Sequence, residues 1–258
     1  MTILALTLAV LATIGFSIFG VLVVRRFITP HIGAGHNDVV VPIFLTAGTI
    51  YAVLLAFLVV AVWESYDAAH ANASEEASTL TTLYRASEGM EPAAGQQMRQ
   101  IVRRYTDAVI GDEWTMQADA GQASPKARAA VLEMYRFFGR QPQEAREHDA
   151  GIDQAALQLI DQIMNDRNKR TLQAGDSLPG IMWLGAIGSG ALVLFLSFFL
   201  HMERAWPQAF VISVMAVMMA ILLCITSILS RPFSGPMALE PEGFRHALQV
   251  YAAIDRTP

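Results

Sequence analysis

The chain has 258 residues, of which 53% are hydrophobic and 16% are charged, and its formal net charge is −5. An ordinary soluble domain has about 25% charged residues, so this composition argues against a purely soluble protein. The acidic balance also argues against a nucleic-acid partner, because the phosphate backbone binds basic surfaces. Because Cys224 is the single cysteine, an intramolecular disulfide is excluded.

Four uncharged tracts account for the low charge, and each is long enough to cross a bilayer. A spanning helix needs about 20 mostly apolar residues. The tracts cover residues 3–24, 39–62, 178–200 and 205–229. Because a helix satisfies its backbone hydrogen bonds internally, they predict an all-α integral membrane protein with four transmembrane helices.

The first tract predicts a retained span rather than a cleaved signal peptide. No basic residue precedes it, and it is followed by Arg25-Arg26 instead of a small-residue cleavage site. Gly15 and Gly20 in this tract predict close packing against another helix.

The second tract begins after His36-Asn37-Asp38. Asn or Asp at this point is typical of a helix N-cap, where an acidic group is also favourably placed. The alternative is a metal or proton site, because His36 and Asp38 are both potential ligands. Two ligands without a third are weak support for a metal site, so the cap is the favoured interpretation.

The second span is predicted to continue as one long helix beyond the membrane. No Gly or Pro occurs over residues 49–88, so no breaker stops the helix where the apolar tract ends. Small and apolar residues continue after Trp63 at close to one-turn spacing, namely Tyr66, Ala69, Ala73, Ala77, Leu80 and Tyr84. The helix therefore couples a membrane core to a soluble helical domain.

The soluble domain is predicted to contain three further helices. An amphipathic helix includes Met98 and ends near Trp114, and a short helix follows Ser124-Pro125, with Ser124 as its N-cap. Residues 139–151 are predicted to be a loop, and a last helix covers 153–174. Residues 64–176 contain 18 acidic and 12 basic residues, so the domain has a net charge of −6.

The last two spans are joined by a short connection and are predicted to be antiparallel neighbours. Gly185, Gly188 and Gly190 in the third span favour tight helix contact over a phosphate-binding loop, because no strand precedes them. The predicted domains are 1–63 (spans one and two), 64–178 (soluble domain), 179–230 (spans three and four) and 231–258 (C-terminal tail).

Several local patterns resemble a bacterial family of four-span membrane proteins described as bestrophin-like, also known as domain of unknown function 4239. In chain order they are His36-Asn37-Asp38, Tyr51-Ala-Val-Leu-Leu-Ala-Phe57, Trp63-Glu-Ser-Tyr66, Glu76-Ala77, Leu83-Tyr-Arg85, Arg167 with Arg170, Leu178-Pro179 with Trp183, and Arg231-Pro-Phe-Ser-Gly235. The resemblance implies two spans, a helical domain and two further spans. It also implies a cyclic homo-oligomer, such as a pentamer, around a pore, as in bestrophin chloride channels. Calcium gating is not implied, because the sequence lacks the acidic calcium-binding cluster of animal bestrophins.

The sequence contains no recognisable signature of an enzyme. It lacks a zinc-protease motif, paired cysteines, a nucleophile elbow and a Walker loop. We therefore expect no catalytic residue, no metal and no cofactor. No Asp, Glu, Lys or Arg occurs within the four tracts, which argues against proton-coupled transport.

The leading hypothesis is a homo-oligomeric ion channel in a bacterial inner membrane, with the second span lining the pore. One face of that span contains Ile50, Leu54, Phe57 and Ala61. From periodicity alone this stripe is more typical of bundle core or lipid contact, and the family resemblance is what favours a pore. The rival hypothesis is a non-conducting membrane adaptor or sensor whose helical domain binds a partner protein.

The sequence gives opposing indications of the permeant ion. The bestrophin resemblance implies anions, whereas a charge of −6 on the soluble domain favours cations. Arg85, Arg167 and Arg170 are candidates for an anion path, for lipid headgroup contacts or for pairing with Glu76. Ion pairs and headgroup contacts are the favoured interpretations for Arg167 and Arg170.

The distribution of basic residues near the span ends favours a cytoplasmic domain. Five basic residues lie on the domain side and three on the opposite side. The domain-side residues are Arg167, Lys169, Arg170, Arg231 and Arg245, and the others are Arg25, Arg26 and Arg204.

Overall fold

A computed structural model of the chain describes residues 3–27, 35–140, 150–175 and 178–256, and it has no strand in these ranges. The α-helices are α1 (Ile3–Phe27), α2 (His36–Ala86), α3 (Pro92–Ala108), α4 (Trp114–Ala120), α5 (Pro125–Arg140), α6 (Ala150–Gly175), α7 (Gly180–Ser197), α8 (Ala205–Leu229) and α9 (Glu242–Ile254). A 3-10 turn, Ser87–Gly89, follows α2, and a π-helical turn, Val109–Glu113, joins α3 to α4. Most of the predicted loop 139–151 lies outside the described residues.

The chain divides into two compact units. The first, here called the membrane unit, consists of Met1–Glu64 and Leu178–Ser230. The second, here called the helical unit, consists of Ser65–Ser177 and Arg231–Pro258. Helix α2 contributes its first part to the membrane unit and the remainder to the helical unit.

The prediction of an all-α protein with four candidate membrane helices is confirmed. The helices that are long and apolar enough to cross a bilayer are Val10–Phe27, His36–Gly89, Gly180–Ser197 and Ala205–Leu229. Between 17% and 22% of the most apolar part of each is buried within the chain. Most of the surface of these spans is therefore left to lipid or to other protein.

Two small apolar clusters hold the membrane unit together. Helix α2 packs on α7 through buried residues that include Tyr51, Leu55 and Ala186. Helix α1 packs on α8, with Val21 and Ile212 in the buried contact. Both clusters are far smaller than the core of the helical unit. Many of the apolar side chains of these helices lie on their outer faces and do not take part in packing within the chain.

Only some of the predicted small-residue contacts are used within the chain. A Cβ on Gly20 would lie 2.5 Å from the ring of Phe198, and a Cβ on Gly190 would lie 2.9 Å from the Tyr51 hydroxyl oxygen. A Cβ on Gly15, Gly185 or Gly188 would meet open space. Gly20 and Gly190 therefore permit close helix approach, and the other three glycines do not serve this purpose within one chain.

The N-cap predicted at the start of α2 is not Asn37 or Asp38, but the predicted acidic group near the helix N-terminus is confirmed, because Asp38 lies in the first turn. Asn37 and Asp38 lie inside the first turn, because the helix begins at His36. The Asn37 side chain instead donates to the His201 carbonyl (2.8 Å) and accepts from the His201 N–H (3.0 Å). His36 Nε2 lies 3.1 Å from the Phe199 carbonyl oxygen. The connection between α7 and α8 is not helical, so its backbone groups need other hydrogen-bond partners, and the side chains of His36 and Asn37 supply them.

The helical unit has one extensive core, and the C-terminal residues belong to it. Phe233, Leu239, Phe244 and Tyr251 are all buried in this core. The Trp114 indole N–H donates to the Leu239 carbonyl at 2.8 Å. The segment predicted as a tail is therefore an integral part of the helical unit.

The predicted end of the third helix near Trp114 is also wrong. The helical path continues through the π-helical turn and α4 to Ala120, and it stops at Gly121, whose φ is +62°. A left-handed residue at this position favours glycine. The predicted cap of α5 is confirmed, because Ser124 Oγ accepts the N–H groups of Lys126 (3.1 Å) and Ala127 (3.5 Å).

Candidate functional site

The predicted pore-lining residues form an uncovered face of α2 in the membrane unit. Ile50, Leu54 and Phe57 have exposed fractions of 65%, 40% and 73%, and Ala61 is exposed as well. A neighbouring face, about 100° around the helix, is buried, and its residues are Tyr51, Leu55, Leu58 and Val62. Within one chain, this span therefore packs through its buried face, and the predicted pore-lining face remains available to lipid, to another subunit or to a pore.

Exposed residues continue at three- and four-residue spacing along the rest of α2. They are small or polar instead of large and apolar, namely Glu64, Ala68, Ala71, Glu75, Ser78, Thr82 and Arg85. Two carboxylates, Glu64 and Glu75, precede the single basic residue, Arg85. The stripe thus changes from apolar to acidic along the helix.

Inside the helical unit, the same helix carries a buried carboxylate that binds an arginine of α6. Arg170 Nε donates to Glu76 Oε2 at 2.7 Å, and Arg170 Nη2 donates to Glu76 Oε1 at 3.0 Å. The Tyr105 hydroxyl donates to the same Oε1 at 2.6 Å. The side chains of Glu76 and Arg170 are 0% exposed. This two-bond geometry is the strongest form of a carboxylate–arginine pair.

A second buried carboxylate, Glu113, joins this pair to another arginine. Glu113 Oε1 accepts from Arg170 Nη2 at 2.8 Å, and Glu113 Oε2 accepts from Arg167 Nη2 at 2.5 Å. The Ser124 N–H also donates to Glu113 Oε2, at 2.9 Å. The four charged residues Glu76, Glu113, Arg167 and Arg170 are here called the ion-pair network. Its charges cancel, which lowers the cost of burying them.

Burial and neighbouring charges shift the pKa values of Arg170 and of Tyr105, which donates to the network. Burial alone would lower the pKa of Arg170, but the attraction and hydrogen bonds of Glu76, together with the charge of Glu113, outweigh burial and raise that pKa. Burial raises the pKa of Tyr105 well above its ordinary value, and the negative charge of Glu76 adds to this effect. The aromatic rings of Trp114 and Phe244 lie 5.5 Å from Arg170 Cζ. Tyr105 therefore remains a hydrogen-bond donor to Glu76 across the physiological pH range.

Comparison with known proteins decides the family. A family model described as a Bestrophin-like domain matches residues 11–244. The chain belongs to the bestrophin-like family. With its four candidate spans, it is a membrane protein, and the resemblance to bestrophin-like proteins stated from the sequence is confirmed.

Solved structures of a bacterial bestrophin homologue from Klebsiella pneumoniae share the fold. One carrying a mutation has a TM-score of 0.76 at 14% identity, with 98% of this chain and 99% of that chain covered. A second mutant has a TM-score of 0.75 at 15% identity, with the same coverage. The structure solved by Zn-SAD phasing has a TM-score of 0.72 at 16% identity, covering 95% and 98%. No curated protein matches this bestrophin-like chain.

The structure separates the family-motif residues into three places. His36 and Asn37 bind the α7–α8 connection in the membrane unit. Glu76, Arg167 and Arg170 meet in the ion-pair network of the helical unit. The remaining candidates, Asp38, Trp63 and Arg85, are exposed. Within the described ranges, no three His, Cys, Asp or Glu side chains are grouped so that they could hold a metal ion.

Sequence reasoning paired Arg170 with Glu76 as one alternative but missed Glu113. A signal for Glu113 was present, because it follows buried Val109 by four residues, on the apolar side of the helix. A carboxylate on such a face needs a cationic partner. The sequence alone does not show which arginine supplies that partner.

Proposed function

We propose that this bestrophin-like chain forms a homo-oligomeric ion channel, with the exposed face of α2 lining the pore. The observation that carries the proposal is the uncovered stripe Ile50, Leu54, Phe57 and Ala61, which lies beside the face packed on α7, about 100° around the helix. Among the four candidate spans, α2 is the one whose helix runs into the helical unit. A stripe on such a helix is suited to extend a pore beyond the bilayer.

An oligomer is required because four spans are too few to enclose a wide pore. Closed cyclic symmetry is the simplest arrangement, and the bestrophin resemblance supports a pentamer. In a cyclic assembly each residue of α2 recurs once per subunit and forms a ring. Rings of Phe57 and Ile50 would make an apolar constriction, which can gate by dewetting.

The resemblance to bestrophin chloride channels supports anions as the permeant ions. A specific observation favours cations as the second candidate, because Glu64 and Glu75 are exposed on α2. Rings of carboxylates in a pore attract cations, whereas the Arg85 ring attracts anions. The reversal potential in a salt gradient distinguishes the two candidates.

We also propose that the helical unit faces water in the cytoplasm and that the protein resides in the bacterial inner membrane. The acidic composition of 64–176 and the five-to-three distribution of basic residues support this placement. Protease treatment tests it: cleavage within the helical unit is expected in inside-out vesicles. Cleavage in right-side-out spheroplasts would place the unit in the periplasm.

The substitution Phe57→Ala tests the pore face. Removing an aromatic ring from the constriction is expected to raise single-channel conductance severalfold in a reconstituted bilayer. Phe195→Ala is the matched control, because Phe195 is an exposed phenylalanine of α7 (53% exposed). Equal effects of the two variants would contradict the assignment of α2. A protein that conducts no ion under varied pH and voltage, yet forms a stable complex with another protein, would favour the adaptor.

The double substitution Glu64→Gln with Glu75→Gln tests the origin of selectivity. If these carboxylates line the pore, their removal should shift the reversal potential towards that of an anion-selective pore. Glu88→Gln removes an exposed carboxylate from the 3-10 turn and serves as the control. A reversal potential that is identical in all three proteins would show that the stripe beyond Trp63 does not contact the permeant ions.

A further inference from the structure

A polar cavity of about 450 Å³ lies in the helical unit along one face of α3. Gln96, Arg99, Gln100 and Arg103 line it, at spacings of three, four and seven residues. This is the spacing of a single helical face, so the four side chains reach the same space. Asp255, beyond the end of α9, also lines the cavity.

Arg103 is held in one orientation at the edge of this cavity. Its Nε donates to the Tyr84 hydroxyl oxygen at 2.9 Å, and its Nη2 donates to Asp255 Oδ2 at 2.5 Å. The guanidinium carbon lies 5.3 Å from the centre of the Tyr84 ring and 5.7 Å from that of Tyr251. The side chain is still 35% exposed. A fixed guanidinium loses little conformational entropy when a ligand binds.

Arg99 is the half-buried cation of this face, and no described residue pairs with it. Arg104, on the same helix, forms an ion pair with Glu133 at 2.9 Å, and Arg103 pairs with Asp255. The sequence of α3 contains a single acidic residue, Asp107. The helix is therefore a basic element within an acidic unit, and the guanidinium of Arg99 is available to a ligand.

We propose that this cavity binds a phosphate group, either as inorganic phosphate or as part of a phosphorylated small molecule. A guanidinium fork matches the geometry of two phosphate oxygens, and the amide N–H groups of Gln96 and Gln100 can donate to the others. A monatomic anion would leave most of these donors and most of the volume unused. The inference does not depend on ion conduction, because it concerns binding to the helical unit.

Asp255 opposes the ligand in this arrangement. Its carboxylate occupies Nη2 of Arg103 and places a negative charge beside the cavity. An incoming phosphate must therefore compete with Asp255 for Arg103. Removal of that charge should strengthen binding, whereas removal of the Arg99 charge should weaken it. The two changes thus predict opposite effects at one site.

Isothermal titration of the full-length protein in mild detergent tests the proposal, with inorganic phosphate and glycerol phosphate as separate probes at constant ionic strength. Saturable binding is expected for at least one of them. Arg99→Gln should weaken it about tenfold or more, because hydrogen bonds to a charged group are lost. Arg99→Lys should retain part of the affinity. A higher affinity for glycerol phosphate would identify a phosphorylated molecule as the ligand. A higher affinity for inorganic phosphate would identify the free ion as the ligand.

Arg136→Gln is the matched control, since it removes an exposed arginine of α5 that does not line the cavity. The affinity of Arg136→Gln for the probe should equal that of the wild type. The Asp255→Asn variant should bind the same probe more tightly than the wild type. Absence of saturable binding of both probes to the wild type would overturn the proposal. Equal weakening in Arg99→Gln and Arg136→Gln would also overturn it, because it would indicate a general effect of charge. Thermal unfolding of each variant verifies that the fold is intact.

Discussion

The membrane unit and the helical unit place their large side chains in opposite ways. In the membrane unit Phe57, Ile181 and Trp206 are more than 70% exposed. In the helical unit Leu80 and Met98 are fully buried. Buried charge differs as well, because the ion-pair network lies in the helical unit.

This difference is what we expect if the membrane unit lies in lipid and the helical unit, as proposed above, faces water. Apolar side chains gain nothing from leaving lipid, so membrane helices associate mainly through close packing at small residues. A unit in water gains about 25 cal/mol for each Å² of apolar surface that it buries. The packing of the helical unit therefore supports the proposal that it faces water, and it predicts different sensitivities to mutation in the two units.

The largest effect is expected from Arg170→Met in the helical unit. The change leaves Glu76 and part of Glu113 buried without a cation, which should cost about 3–5 kcal/mol of the free energy of unfolding. Denaturant titration in mild detergent, followed by circular dichroism, measures the loss. Arg104→Met, which removes an exposed ion pair with Glu133, should cost less than about 1 kcal/mol.

The combination of Arg170→Met with Glu76→Gln separates buried charge from lost packing. If the unpaired carboxylate causes the loss, neutralising Glu76 should restore part of the stability. A double variant that is less stable than Arg170→Met would show that packing dominates. Equal losses in Arg170→Met and Arg104→Met would contradict the importance assigned to the network.

A smaller effect is expected from Gly20→Ala in the membrane unit. The added methyl group would lie 2.5 Å from the Phe198 ring, so α1 must move away from this residue or the ring must rotate. Such overpacking typically costs about 1–3 kcal/mol. Gly15→Ala is the control on the same helix, since its methyl group meets open space and should change stability by less than about 0.5 kcal/mol. Similar losses in both variants would argue against close packing at Gly20.

The smallest effect concerns Tyr135, which donates to Asp161 at 2.7 Å. Burial, together with the hydrogen bond to Asp161 and its negative charge, raises the pKa of Tyr135 from 10.0 to about 12. Between these values the unfolded chain releases the proton while the folded chain keeps it. The contribution of Tyr135 to the free energy of unfolding is therefore fully present below pH 10 and is lost as the pH rises to about 12. In the Tyr135→Phe variant, the free energy of unfolding should fall less steeply with pH over this range than in the wild type. Identical slopes in the two proteins would exclude a contribution from Tyr135.

The four spans could be predicted from the sequence because their signal is local. A tract of more than about 20 residues without charge has few alternatives to a membrane helix. The continuation of α2 beyond its apolar tract could be predicted for the same reason, since no Gly or Pro occurs between Gly48 and Gly89. The cap at Ser124 also depends on neighbouring residues only.

Features that depend on tertiary contacts could not be predicted in this way. The carboxylate partners of Arg167 and Arg170 lie more than fifty residues away along the chain. The sequence pattern predicts that the helix of Met98 ends near Trp114. Burial of Glu113 against two arginines instead carries the helix onward, through wider winding at Val109–Glu113.

That wider winding has a consequence for the length of the chain at this point. A π-helical turn contains one residue more than an α-helical turn, so loss of a single residue here would leave an ordinary, unbroken helix. The helix on either side of the turn would then keep nearly the same relative rotation, because the wider turn is what accommodates the additional residue. Tyr105 would still reach Glu76 and Trp114 would still lie beside Arg170, whereas deletion of a residue from an α-helical turn would rotate one side by about 100° relative to the other.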